Sequence, residues 1–159
     1  RIKIESRNLP EEYSNNEEQL VVFKLGREEY GVSILNVQEI KRITEITRVP
    51  YTPEFIKGVM NLRGSVLPVI DTKKRLGIEN EEYTEDTRII ILKVDEVSIG
   101  MIVDAVSEVI AIPQDKIEPP ESVVARYEHS FISGVGNLEN RLIILLDLVE
   151  MIGIGTEAK

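Results

Sequence analysis

The sequence predicts a mainly β protein: two tandem, pseudo-symmetric five-stranded β-barrels packed together, with a few short helices. Three observations lead there. Apolar runs such as Val66–Ile70, Ile89–Val94 and Leu142–Leu146 have strand length and are bounded by turn residues. Long segments with a 3.6-residue apolar period are missing. The two halves of the chain also repeat each other, as two copies of one supersecondary unit would.

In chain order, residues 1–18 read as a flexible acidic tail, holding Pro10, Asn15, Asn16 and several carboxylates without a lasting apolar period. From Leu20 the pattern tightens, and Val21, Phe23 and Leu25 alternate with more polar positions. In "SILNVQEI", Ser33 suits a helix cap, and Ile34, Val37 and Ile40 follow at helical spacing as core candidates. The stretch from Gly58 to Gly77 reads as a turn, a buried strand and a short capped segment. Residues 19–84 are assigned to a first barrel subdomain. Residues 85–159 form a second, ending in a short helix. The whole is one domain in which the halves can exchange strands.

The repeat is explicit. "LVVFKLGREEYGVSILNVQEI" from Leu20 aligns with "IIILKVDEVSIGMIVDAVSEV" from Ile89, a shift of 69 that puts Gly31 on Gly100, Val37 on Val106 and Glu39 on Glu108. "FIKGVMNLRGSVLPVIDTKKRLG" from Phe55 aligns with "FISGVGNLENRLIILLDLVEMIG" from Phe131, at a shift of 76. The change of shift places an insertion in the second half, near Pro113, Pro119 and Pro120. A unit of about 70 residues suits a barrel of about five strands, whose closure removes exposed edges.

Residues that recur in both copies belong to the fold. Asp71 and Asp147 open short segments that close at Gly77 and Gly153, the pattern of helix N-caps and left-handed C-caps. Glu150 stands at capping-box distance from Asp147. Gly31 and Gly100 are expected where backbone approaches closely, and Asn61 and Asn137 where a side chain holds its own turn. Glu39 recurs as Glu108, so structural and contact roles compete there. Arg63 breaks the repeat: Glu139 replaces it, and Asn140 faces Gly64. A position that tolerates either charge does not serve packing. Its arginine is either solvated or offers a rigid five-donor fork to a partner.

Composition narrows the function. Without cysteine there is no disulfide, thiolate metal site or cysteine nucleophile. The formal net charge of −9 opposes a phosphate backbone, and 5% aromatic content without tryptophan gives no stacking groove, which argues against nucleic acid. His129 is the only histidine and stands at no fixed spacing to a serine nucleophile. No phosphate loop or metal-ligand cluster stands out, so neither catalysis nor a cofactor is expected. No apolar run approaches the roughly 20 residues that span a bilayer, and no signal peptide is visible. A cytoplasmic protein is expected.

Four stretches carry a resemblance: "FKLGREEYGVSILNVQEI", "RVPYTPEFIKGVMNLRGSVLPVIDTKKRLG", "GMIVDAVSEVIAI" and "FISGVGNLENRLIILLDL". They resemble the chemotaxis coupling proteins, the CheW family, from Gln19 to about Gly153. The second is the most specific, running from Thr47–Arg48 through a proline-bounded segment to "NLRG". The resemblance implies two five-stranded barrels and a non-catalytic adaptor that couples the cytoplasmic tips of chemoreceptors (methyl-accepting chemotaxis proteins) to the regulatory domain of the chemotaxis histidine kinase. It implies receptor binding through Val37, Glu39, Gly58 and Arg63, and leaves the kinase-contact residues unassigned. The alternative is a domain of the same kind cut from a coupler–receiver fusion or from the kinase itself.

Overall fold

The computed structural model describes residues 16–79, 82–122 and 131–153. Nearly all of the expected acidic tail, and His129, lie outside them. Eleven strands appear among the described residues: β1 (Glu17–Leu25), β2 (Glu28–Ser33), β3 (Val37–Arg42), β4 (Ile56–Leu62), β5 (Ser65–Asp71), β6 (Arg88–Val94), β7 (Val97–Val103), β8 (Ala105–Pro113), β9 (Ile117–Glu118), β10 (Ile132–Leu138) and β11 (Arg141–Leu146). Two five-residue helices, α1 (Thr72–Leu76) and α2 (Leu148–Ile152), follow β5 and β11. The first strand begins at Glu17, inside the stretch assigned to the tail, because its residues pair with β8 from Glu17 onward.

The strands form two sheets. One has the order β8-β1-β2-β11-β10-β9 and the other β3-β6-β7-β5-β4. Under the sequence repeat, β1 to β5 correspond to β6, β7, β8, β10 and β11. Apart from the short inserted β9, the two sheets therefore share one strand order. Each takes its first hairpin from one half of the chain and its other three strands from the other half. Neither sheet coincides with residues 19–84 or 85–159: the halves have exchanged hairpins. The exchange is held by parallel ladders of three pairs each, β11 on β2 and β5 on β7.

The expectation of closed barrels is not met by the strand pairing. β3 and β4 are the two ends of the five-stranded sheet and form no ladder with each other. The chain beyond β3 returns to β4 only through an isolated bridge, Thr47 with Val59, with N–H···O distances of 2.9 and 2.8 Å. The same position in the second copy is occupied by β9, where Glu118 pairs with Val135.

Continuous apolar runs in β1 and β6 are explained by burial on both faces. Val21, Phe23 and Leu25 of β1 join Ile90, Leu92 and Val94 of β6 in one large core drawn from both sheets. Leu20 and Val22 face a separate core with Ile143 and Leu145, and their repeat mates Ile89 and Ile91 face another with Leu67 and Val69. At Gly31 and Gly100 the close neighbours are side chains rather than the backbone expected there. A Cβ on Gly31 would lie 3.2 Å from Ile143, and one on Gly100 3.0 Å from Ile89.

The capping expectations hold in part. Asp71 accepts from the Lys74 amide and Asp147 from the Glu150 amide, each at 3.2 Å. Gly77 is left-handed (φ 75°), but Gly153 is not (φ −42°). No capping box closes around Asp147, because its amide donates to the Phe131 carbonyl at 2.8 Å. The helix expected at "SILNVQEI" is a single 3-10 turn over Ile34–Asn36, with Ser33 Oγ accepting from the Leu35 amide. From Val37 the chain pairs with β6 instead, since its branched apolar residues gain more from a half-buried sheet than from a solvated helix. Asn61 holds its own turn, whereas Asn137 does not: its side chain donates to Glu118 at 2.9 Å, a partner supplied by the insertion.

The two copies also differ at their helices. Lys73 of α1 is 5% exposed and reaches Asp104 at 2.9 Å, while Asp104 accepts from the Gly26 amide at 2.7 Å. The repeat mates of Lys73 and Asp104 are Val149 and Leu35, both exposed. Arg75 lies between the repeat-related rings of Phe55 and Phe131, 3.8 and 4.8 Å from their centroids, and donates to the Met151 and Glu150 carbonyls. It ties α1 to α2 by stacking and hydrogen bonding.

Candidate partner-binding face

The four expected contact residues lie on β3, β4 and the β4–β5 turn. In β3, Val37 pairs with Leu92 and Glu39 with Ile91, so Gln38 is an extra residue in a bulge. The same bulge recurs in β8, where Val106 and Glu108 oppose Phe23 and Val22. A bulge breaks the alternation of the pleat and re-aims the next side chain. Val37 thus enters the large core at 6% exposure, while the Glu39 side chain remains 27% exposed. Val37 offers a partner little area of its own.

The β4–β5 hairpin sets Arg63. Leu62 pairs with Ser65, leaving Arg63 and Gly64 as a two-residue loop. Their φ values are 52° and 91°, the pattern of a type I′ turn, whose twist matches the flanking strands. A non-glycine residue in this region costs about 1–2 kcal/mol. The Asn61 side-chain Oδ1 offsets part of that cost by accepting from the Gly64 amide at 2.9 Å. Held this way, Arg63 forms an ion pair with Glu39 while its side chain stays 71% exposed. Sequence reasoning singled out both residues, and the tertiary structure brings them together.

Gly58 has a different task. Its φ is 157°, and a Cβ there would lie 2.2 Å from the Thr47 carbonyl oxygen. The glycine lets the Thr47 backbone close on Val59 beside it. Gly58 therefore shapes the face from beneath.

In the second copy, Glu108 also meets an arginine, but from another strand position. Arg141, the first residue of β11, lies 2.6 Å from Glu108 and donates to Glu29 from Nε and Nη2 at 2.9 and 3.1 Å. The hydrogen bond from Arg141 holds the Glu29 carboxyl below its usual pKa, and the two carboxylates push the arginine's own pKa upward. Arg141 is held from two sides, whereas Arg63 pairs with the single carboxylate of Glu39 and is otherwise open to solvent. This cluster was not legible in the sequence: Glu29 and Arg141 are 112 positions apart, and only the recurrence of Glu108 hinted at it.

Among the described residues, no group of three or more His, Asp or Glu side chains could hold a metal ion. An exposed arginine on a rigid turn, paired with one carboxylate at a sheet end, can exchange that partner for a carboxylate or carbonyl from another molecule. The chain belongs to the family of CheW-like domains, whose model matches residues 19–154. It is 36% identical over 135 residues to chemotaxis protein CheW of Klebsiella aerogenes, covering 85% of this chain and 81% of that protein. It is 38% identical over 130 residues to the CheW of Bacillus subtilis, covering 82% and 83%. The crystal structure of the scaffolding protein TtCheW from Thermoanaerobacter tengcongensis superposes with a TM-score of 0.76 at 43% identity, over 82% of this chain and 88% of that one.

Proposed function

We propose that this chain is a non-catalytic adaptor of chemotaxis signalling, joining the cytoplasmic tips of chemoreceptors to the regulatory domain of the chemotaxis histidine kinase in the cytoplasm. Its family and its CheW relatives support the adaptor role. The observation that carries the receptor assignment is the Arg63–Glu39 pair, whose arginine is exposed in one copy and replaced in the turn of the other. A receptor tip is a helical hairpin, so docking takes the form of a helix against a shaped face flanked by charges. Arg63 and Glu39 set register at its rim, and Val37 and Gly58 act through the shape of the strands that carry them. Each sheet acts as an incompletely closed barrel, a reading supported by burial on both faces of β1 and β6.

No helix among the described residues is long and apolar enough to cross a membrane. Signal passes through altered geometry between receptor and kinase, as a difference in binding between two arrangements of the assembly. Co-sedimentation with a receptor cytoplasmic fragment and the kinase regulatory domain tests the proposal. Capture of both is expected, and capture of neither would overturn it.

A further inference from the structure

We infer that Asn61 is a positioning residue for partner recognition: it acts through Arg63 and touches no partner itself. The inference rests on the receptor reading above. Arg63 meets Glu39 only because its backbone takes a left-handed φ, and that conformation belongs to a turn that Asn61 closes through the Gly64 amide. Asparagine suits this task because its short carbonyl reaches back to the backbone of its own turn.

The second copy supplies a comparison within the same molecule. Asn137 stands at the repeat position of Asn61, and its loop, Glu139–Asn140, has the same length between paired residues Leu138 and Arg141. There the carboxamide is diverted to Glu118 of β9. Neither Glu139 nor Asn140 has a positive φ; among the described residues the non-glycine positive values belong to Tyr51, Arg63 and Asp95. Glu108, the mate of Glu39, receives its arginine from β11 rather than from the turn. Where the asparagine is drawn away, the turn does not present its tip residue to the equivalent glutamate. The two turns thus differ in their asparagine's hydrogen bond as well as in their tip residues, Arg63–Gly64 against Glu139–Asn140.

The test uses the full chain, a receptor cytoplasmic hairpin fragment and the kinase regulatory domain. Asn61→Ala should weaken hairpin binding about three- to tenfold, the range of one lost hydrogen bond, with kinase-domain binding unchanged. Asn61→Asp keeps an acceptor for the Gly64 amide and should restore most of the affinity. In an Arg63→Ala background, Asn61→Ala should add less than about twofold, because its effect runs through the arginine. A general loss of structure would instead add in that background, would not be rescued by aspartate and would lower kinase binding too. Any of those three results, or unchanged hairpin binding in Asn61→Ala, overturns the inference. If Arg63→Ala alone leaves hairpin affinity unchanged, the receptor reading fails first.

Discussion

Replacing Gly58 by alanine puts the role of the Thr47 bridge to a quantitative test. The new Cβ would stand 2.2 Å from the Thr47 carbonyl oxygen, 2.8 Å from its carbonyl carbon and 2.9 Å from the Ile46 side chain. The first two are backbone atoms, so no rotamer change relieves them. The bridge must open, losing its hydrogen bonds of 2.9 and 2.8 Å between Thr47 and Val59. Two hydrogen bonds at about 0.5–1.5 kcal/mol each, with the strained φ of 157° added, give a loss of roughly 2–4 kcal/mol. For a chain of this length that lowers the melting temperature by roughly 5–12 °C. The repeat supplies the control. A Cβ at Gly134 would lie 3.1 Å from the Glu118 carbonyl oxygen, close enough to need only a small shift, so Gly134→Ala should cost clearly less. Thermal and urea unfolding of the two variants decides the matter. If Gly58→Ala melts with the wild type, or no lower than Gly134→Ala, the bridge does not constrain this position and Gly58 would have to act by direct contact.

Arg63→Ala should change stability by about 0.5 kcal/mol or less, since an exposed ion pair contributes little, while titration shows weakened receptor-fragment binding and intact kinase-domain binding. Asp104→Asn keeps an acceptor for the Gly26 amide but leaves the ammonium of Lys73 buried without its counter-charge. Urea denaturation should show a loss of roughly 1–3 kcal/mol, and no loss would mean that packing alone holds Lys73. The Glu29 pKa is lowered in the folded state by Arg141, so its contribution is complete above the ordinary carboxylate value. It is lost as pH falls below about 4.5 through the depressed folded value. Glu29→Gln should flatten the acid limb of the stability–pH profile, read by melting temperature between about pH 5 and 3, and leave the neutral-to-alkaline side unchanged in slope.

Local patterns alone determined the β class, the repeat, the N-caps at Asp71 and Asp147 and the turn at Asn61, and they marked Arg63 as a position where the two copies differ. Each rests on neighbours within a few positions or on one half compared with the other, and the chain carries both kinds of information along its length. Tertiary structure alone decided which hairpin joins which sheet. Both halves present nearly the same apolar pattern, so either partner satisfies it on paper; in the folded chain the hairpins are exchanged and β1 and β6 meet in one shared core. Distance in sequence also hid the pairing of Arg141 with Glu29 and Glu108, the burial of Lys73 on Asp104 and the capture of Asn137 by Glu118. Charged and amide side chains carry no periodicity that announces a partner, so their neighbours exist only once the sheets have packed. The bulge at Gln38 settled the last point: one extra residue sends Val37 into the core and leaves Glu39 at the surface beside Arg63.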